Sequence, residues 1–320
     1  MLRLLFVLAL LSISLALMAG SISVPFRDVV LSLFDAQGNG SSEVVRNLRL
    51  PRALNGFACG GLLALSGALL QVLLRNPLAD PYVLGISGGA GVGALLAILM
   101  GFGVAGINGA SFAGALAAML LVFGLAHGDG SWTQNRLLLT GVIVAAGCGA
   151  LVALMLTVAP DHKLHGMLFW LMGDLSQTDD PSLVLVVLLL SLLVSMPYAR
   201  ELNLLARGED MAQSLGVQIG FLRRGVYVIA SLATAVAVAQ AGSIGFVGLI
   251  VPHLVRLAIG NDQRLLLPAS ALAGGSLLVI ADTLARTIVA PQQLPVGILT
   301  AMVGVPVFLA FMSLDMQRKR

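Results

Sequence analysis

Ten apolar stretches fill most of this chain, and the residues between them are too few to build a water-facing surface. Only 10% of the 320 residues are Asp, Glu, Lys or Arg, against about 25% in an ordinary soluble domain. Lipid must therefore be the solvent. A helix needs roughly 20 apolar residues to cross it, and closed helices satisfy their own backbone polar groups there. The stretches cover 4–19, 53–74, 83–105, 110–126, 137–159, 182–197, 225–242, 244–259, 265–289 and 294–314. These predict an all-α membrane protein of about ten transmembrane helices, with residues 1–320 as one domain.

An even number of spans puts both termini on one side. Placing them in the cytoplasm assigns twelve of the eighteen Lys and Arg residues to the inside, which satisfies the positive-inside rule. The alternative, a cleaved signal peptide over the first span, rests on Arg3 and the small residue Ala19 and would reverse that parity.

One polar segment, 200–217, interrupts the apolar pattern between the sixth and seventh spans. It reads Arg-Glu-Leu-Asn-Leu-Leu-Ala-Arg-Gly-Glu-Asp-Met-Ala-Gln-Ser-Leu-Gly-Val. Gly208 can end one short helix, and Glu209 and Asp210 suit the positive N-terminus of the next. Leu204, Leu205, Met211 and Leu215 offer apolar knobs for a helix-in-groove contact, with Arg207 beside them. The segment is expected to be a docking surface.

Small residues recur every four positions inside the spans: Gly56, Gly60, Ala64 and Ala68; Gly85, Gly89, Gly93, Ala97 and Gly101; Gly141, Ala145, Gly149 and Ala153; Gly297 and Ala301. Close helix approach is their ordinary use. A smooth, uncharged wall along a wide path is the other. Ionisable residues are nearly absent at mid-membrane. Asp282 and Arg286 share a helix face at i and i+4, about 26 Å up their helix and so near the outer surface. A carrier driven by protons or sodium keeps carboxylates or unwound polar backbone at mid-depth, so energy is expected from elsewhere. The sequence has no Gly-Lys-Ser/Thr nucleotide loop, so any ATP hydrolysis belongs to a partner. Cys59 and Cys148 lie in apolar stretches and are expected to be buried hydrophobes, with no metal site. His253 is expected to be structural.

Several motifs in order resemble the permease subunits of bacterial ABC importers for iron complexes (haem, ferric siderophores) and cobalamin. Arg49-Leu50-Pro51-Arg52 opens the second span, and Gly67-Ala68-Leu69-Leu70-Gln71 leads to Arg75-Asn76-Pro77-Leu78-Ala79-Asp80-Pro81. The segment 202–217 follows, then Gly245-Phe246-Val247-Gly248-Leu249-Ile250-Val251-Pro252-His253 and Leu294-Pro295-Val296-Gly297. The resemblance implies a homodimer with one central path, two cytoplasmic ATPase subunits that carry ATP and Mg, a periplasmic binding protein, and no nucleic acid. It implies inverted halves, helices 2–5 and 7–10, in the bacterial inner membrane.

It also implies site roles. Segment 200–217 becomes the ATPase coupling surface, through Leu204, Leu205, Arg207, Gly208, Glu209, Asp210, Met211 and Leu215. Arg49, Arg52 and Arg286 become binding-protein docking residues. Gly141, Ala145, Gly149, Gly297 and Ala301 line the path, and Gln134 and Asn135 stand at the cytoplasmic gate. Turn 76–81 is expected to be structural. At the outer mouth, His162, His165, Met167 and Met172 are candidate substrate contacts. They favour haem slightly over ferric siderophore, with cobalamin third. No cofactor is expected on this chain. A secondary transporter without an ATPase remains the reading from a different class.

Overall fold

The computed structural model describes residues 1–20, 23–34, 40–126, 134–176 and 180–318. The fold is all-helical. α1 (Leu2–Met18) is followed by the short α2 (Phe26–Phe34) and α3 (Gly40–Glu43). A π-wound stretch, Val44–Arg49, runs into α4 (Leu50–Leu73). After the 3-10 turn Pro81–Leu84 come α5 (Ile86–Leu99), α6 (Val104–Ala126), α7 (Gln134–Val158) and α8 (Asp161–Met172). Next are α9 (Ser182–Ser195), a 3-10 turn at Met196–Tyr198, α10 (Ala199–Arg207) and α11 (Glu209–Ser214). The last four are α12 (Ile219–Ala241), α13 (Val247–Ile259), α14 (Gln263–Thr287) and α15 (Val296–Arg318).

The ten expected spans correspond to α1, α4, α5, α6, α7, α9, α12, α13, α14 and α15. Among the described residues, six helical stretches are long and apolar enough to cross a membrane by length and composition, and four apolar helices are shorter. Two of the short ones are α5, with 14 residues, and α13, with 13. The span expected over 83–105 ends early because Gly101 takes φ 78° after α5 closes. The span expected from 244 begins as a helix only at Val247, because Gly242 (φ 68°) and Phe246 (φ 71°) hold the chain out of the helical region.

Contacts between helices obey one exchange. Swapping α4, α5, α6 and α7 for α12, α13, α14 and α15 converts the main contacts among these eight helices into one another. α4 on α14 becomes α12 on α6, α4 on α13 becomes α12 on α5, and α5 on α6 becomes α13 on α14. The pair α4 and α12 maps onto itself. The expected inverted halves are thus visible in packing.

Small residues make the central joints. A methyl at Gly60 would overlap the Gly274 carbonyl on α14, and one at Gly67 would overlap Gly248 on α13. Gly89 and Gly93 abut Gly114 and Ala110 on α6 in the same way. Buried hydrogen bonds lock the same joints. Ser66 Oγ lies 2.6 Å from Thr234 Oγ1 and donates to Ala230 O at 2.8 Å, while Tyr227 Oη donates to Met119 O at 2.9 Å. In a dry interior such satisfied polar groups fix helix register. Of the most apolar 18 residues in Val44–Leu73, 94% are buried, whereas in Asn135–Val158 the figure is 11%. Neither cysteine is paired; Cys59 is buried and Cys148 half-buried.

Candidate functional site

At one end of the bundle the polar segment folds as two short helices joined by Gly208. That glycine holds φ 143° and ψ 148°, a backbone that a side chain would strain. Leu202, Leu205 and Ala212 are completely buried and tie the pair to the core. Leu205 therefore anchors α10 from within and is not the exposed knob expected of it. Met211 and Leu215 are open, Arg207 and Asp210 are exposed, and Leu204 is half-buried. Glu209 pairs with Arg223 on α12. Asn203 donates to Asp262 Oδ1 at 2.8 Å and accepts from the Gln263 N–H at 2.9 Å, which fixes α10 against the α13–α14 link.

The turn after α4 lies at the same end. Asn76 Oδ1 accepts from the Leu78 N–H and Asp80 Oδ1 from the Tyr82 N–H, the local side-chain caps expected of 76–81. Burial pushes the Asp80 carboxyl up to about 6, although the Tyr82 N–H acts in the opposite direction. Tyr82 Oη accepts from the Ile244 N–H at 2.8 Å, and Ser87 Oγ lies 2.9 Å from Ser243 Oγ. The turn that opens α5 thus holds the non-helical link before α13. Sequence reasoning missed these contacts; an unremarkable Ser-Ile pair gives no local signal for them.

The three arginines expected to dock a partner protein are engaged inside the chain. Arg49, 6% exposed, donates from Nη1 to Leu17 O at 2.8 Å and Met18 O at 3.1 Å, closing the open carbonyls of α1. Arg52 reaches Asp282 with Nε at 3.0 Å and Nη2 at 2.7 Å, and its Nη1 donates to Gln293 Oε1. Arg286, 8% exposed, meets Asp282 at 3.2 Å and donates to Ala16 O at 3.3 Å. The expected docking surface is therefore a clamp that joins α1, α4 and α14. The physical reason is Asp282: a buried carboxylate demands paired donors, and forked guanidiniums supply them.

The mouth helix α8 closes the same end as this clamp. Its C-terminus enters a crossing of three chain segments made by Gly173 (φ 83°), Gly242 (φ 68°) and Gly297. The Asp174 N–H donates to Ala241 O at 2.9 Å and the Val296 N–H to Gly173 O at 3.0 Å. A methyl on Gly297 would overlap Met172 O, so this expected path residue is a packing glycine. Gly141 likewise packs, under Val83 O, while Gly149 faces open space and Ala145 and Ala301 are half-buried.

Met167 is completely buried and does not reach the mouth. Met172 is half-buried, and His162 and His165 are exposed. His165 packs against Phe169 with ring centroids 4.4 Å apart and the rings tilted by 42°. It borders a cavity of about 310 Å³ with Trp170, Asn108, Gln240 and Asp174, and a second opening toward Gln292 and Gln293. Asn108 and Gln240 were not singled out in sequence, where each is an isolated amide in an apolar run. Of the two gate residues, Asn135 is exposed at the start of α7, and the Gln134 side chain lies outside the described residues.

The architecture has known counterparts. The FecCD transport family matches residues 6–313. The hemin transport system permease protein HmuU of Yersinia pestis is 40% identical over 300 residues, 91% of this chain and 88% of its own. The cobalamin import system permease protein BtuC of Halobacterium salinarum is 46% identical over 269 residues, 83% of this chain and 72% of its own. A solved transporter assigned to the metal-chelate ABC type, in an inward-facing conformation, superposes with TM-score 0.87 at 32% identity and covers 98% of both chains. The order of helices, the exchanged contacts and the match along nearly the whole length converge on one conclusion: this chain belongs to the FecCD transport family, as a multi-pass permease of an ABC importer.

Proposed function

We propose that this permease imports haem, working as a homodimer with two ATPase subunits at the 200–217 end and a binding protein at the mouth. The observation that carries the substrate is His165, exposed and in tilted contact with Phe169, beside Trp170 at the cavity. An exposed imidazole among aromatic side chains suits an iron macrocycle, because imidazole is a ready iron ligand. The hemin permease relative supports the reading. The exposure of α7 and α15 supports a second copy across a central path, since each leaves bulky apolar side chains uncovered (Leu139, Ile143, Leu154, Met302, Leu309).

On this reading the 200–217 end and both termini are cytoplasmic. Met211 and Leu215 present the apolar contact to the ATPase, with Arg207 and Asp210 at its edge. Asn135 lies at the cytoplasmic end of the path. The binding protein sits over α8, meeting its exposed His162 and His165 and not the arginine clamp. ATP and Mg belong to the partner ATPase.

The second reading is cobalamin, favoured by the 46% identity to a cobalamin permease. The experiment is uptake into proteoliposomes that hold the permease, its ATPase and its binding protein, offered haem, cyanocobalamin or a ferric siderophore. Haem transport that falls at least tenfold in His165→Ala supports the proposal. Cobalamin transport with no haem uptake would sink it. Uptake of any solute without the ATPase would remove the partner assignment.

A further inference from the structure

A cleft of about 650 Å³ opens at the 200–217 end, lined by Gln71 and Arg75, by Arg207 of α10, by Arg256 of α13, and by Asp262 and Gln263. Two of its walls carry polar atoms that the protein leaves without a partner. Gln71 is 3% exposed, and its Nε2 donates to Leu249 O at 3.1 Å. That bond fixes the amide orientation and leaves Oε1 as the free acceptor. Gln263, 1% exposed, directs Nε2 toward Asn261 O at 3.4 Å. Among the described residues, neither Oε1 accepts a hydrogen bond. Buried acceptors without donors are costly and rare in native proteins.

The charge of the cleft is as unbalanced as its hydrogen bonding. Arg75, Arg207 and Arg256 come from three separate elements, and no carboxylate pairs with Arg256 among the described residues. Asp262 lines the cleft too, but it already accepts from Asn203 and from the Arg264 N–H. Those bonds hold its carboxyl below its ordinary value. Arg75 sits at φ 45° as the left-handed residue that closes α4, with the Asn76 N–H donating to Gln71 O at 3.1 Å, and this turn sets its side chain at the cleft.

We propose that this cleft binds a hydroxyl-bearing phosphate ester. The phosphate oxygens accept from the guanidiniums of Arg75, Arg207 and Arg256, which suit them geometrically. The ester's hydroxyls donate to Gln71 Oε1 and Gln263 Oε1. A phosphatidylglycerol headgroup and a soluble glycerol or sugar phosphate share this chemistry. Because Arg207 and Asn203 stand on α10, the ligand joins the 200–217 helices to α4 and α13. The site is distinct from the transport path, and its test reads binding alone, so its failure is separable from failure of the transport reading.

The test is native mass spectrometry of the delipidated full-length permease. The probes are dihexanoylphosphatidylglycerol, sn-glycerol 3-phosphate, inorganic phosphate and dihexanoylphosphatidylcholine. The expected result is binding of a glycerol-bearing probe, weakened about tenfold by Arg256→Gln and by Gln71→Leu, the loss that follows from one charge-assisted or buried hydrogen bond. Arg75→Gln, at an exposed position, should weaken it while leaving the melting temperature unchanged. Tighter binding of the lipid identifies the membrane as the source, and equal binding of sn-glycerol 3-phosphate identifies a soluble one. Inorganic phosphate or phosphatidylcholine binding as tightly as the glycerol probes overturns the proposal, as does affinity indifferent to all three variants.

Discussion

α4 and α7 carry the same sequence device and meet opposite fates. Both present small residues at four-residue spacing. In α4, Gly60 and Gly67 lie against backbone on α14 and α13, and nearly every residue is buried. In α7 only Gly141 is used this way; Gly147 and Gly149 face open space, and Val142 and Ile143 are uncovered. A small-residue ladder therefore states that something can approach closely. It does not state whether that partner is in the same chain.

Four substitutions break or sharpen this contrast. The clamp that seats α4 beside α1 and α14 should be the most sensitive, because Asp282→Ala leaves Arg52 and Arg286 without their carboxylate, a loss of about 3–5 kcal/mol. Reversible unfolding in mixed micelles measures it, and a change below about 1 kcal/mol would show that the pair is solvated. Next comes Gly67→Val, whose added carbons would overlap Gly248 and should cost about 3 kcal/mol. A variant as stable as the parent would mean that α4 and α13 separate easily.

Asp80 tests the turn that opens α5, the neighbour of α7. Its carboxyl is raised from the ordinary 3.8 to about 6, so folding favours the protonated form. That contribution is complete below the unfolded value and is lost as pH rises through about 6. Asp80→Asn keeps the neutral amide and the Tyr82 cap, so the parent's melting temperature should fall relative to the variant's between pH 4 and 6. Parallel profiles would remove the assignment. Gly149→Leu should have the smallest effect on the fold, within about 0.5 kcal/mol as at other uncovered positions. It should nevertheless abolish uptake if α7 lines the path. Unimpaired transport would place the path elsewhere.

Most of the fold was legible, because transmembrane segments announce themselves by length and hydropathy, and the polar break at 200–217 stands out against them. The half-length of α5 and α13 was not. Gly242 and Phe246 sit in an apolar run, and only the tertiary hydrogen bonds to Tyr82 Oη and from the Asp174 N–H show how the link between α12 and α13 is held. The outer arginines were misplaced for a related reason. Asp282 is 230 residues from Arg52, and sequence spacing revealed only its i+4 partner. Burial separated the mouth candidates as well. Met167 and His165 are two residues apart on a helix, where spacing alone puts neighbours on different faces without naming which is wet.

The crossing of Gly173, Gly242 and Gly297 behaves as a mechanical joint. Main chain rests directly on main chain at Gly242 and Gly297, which lie against the Trp170 and Met172 carbonyls, so few side-chain rotamers stand ready to absorb a displacement. A tilt of α8 would therefore be felt at the start of α15 and at the link that leads into α13. The link in turn is held by the turn that opens α5. The C-terminal end of α8 thus meets, within one set of backbone contacts, chain that belongs to both halves of the molecule.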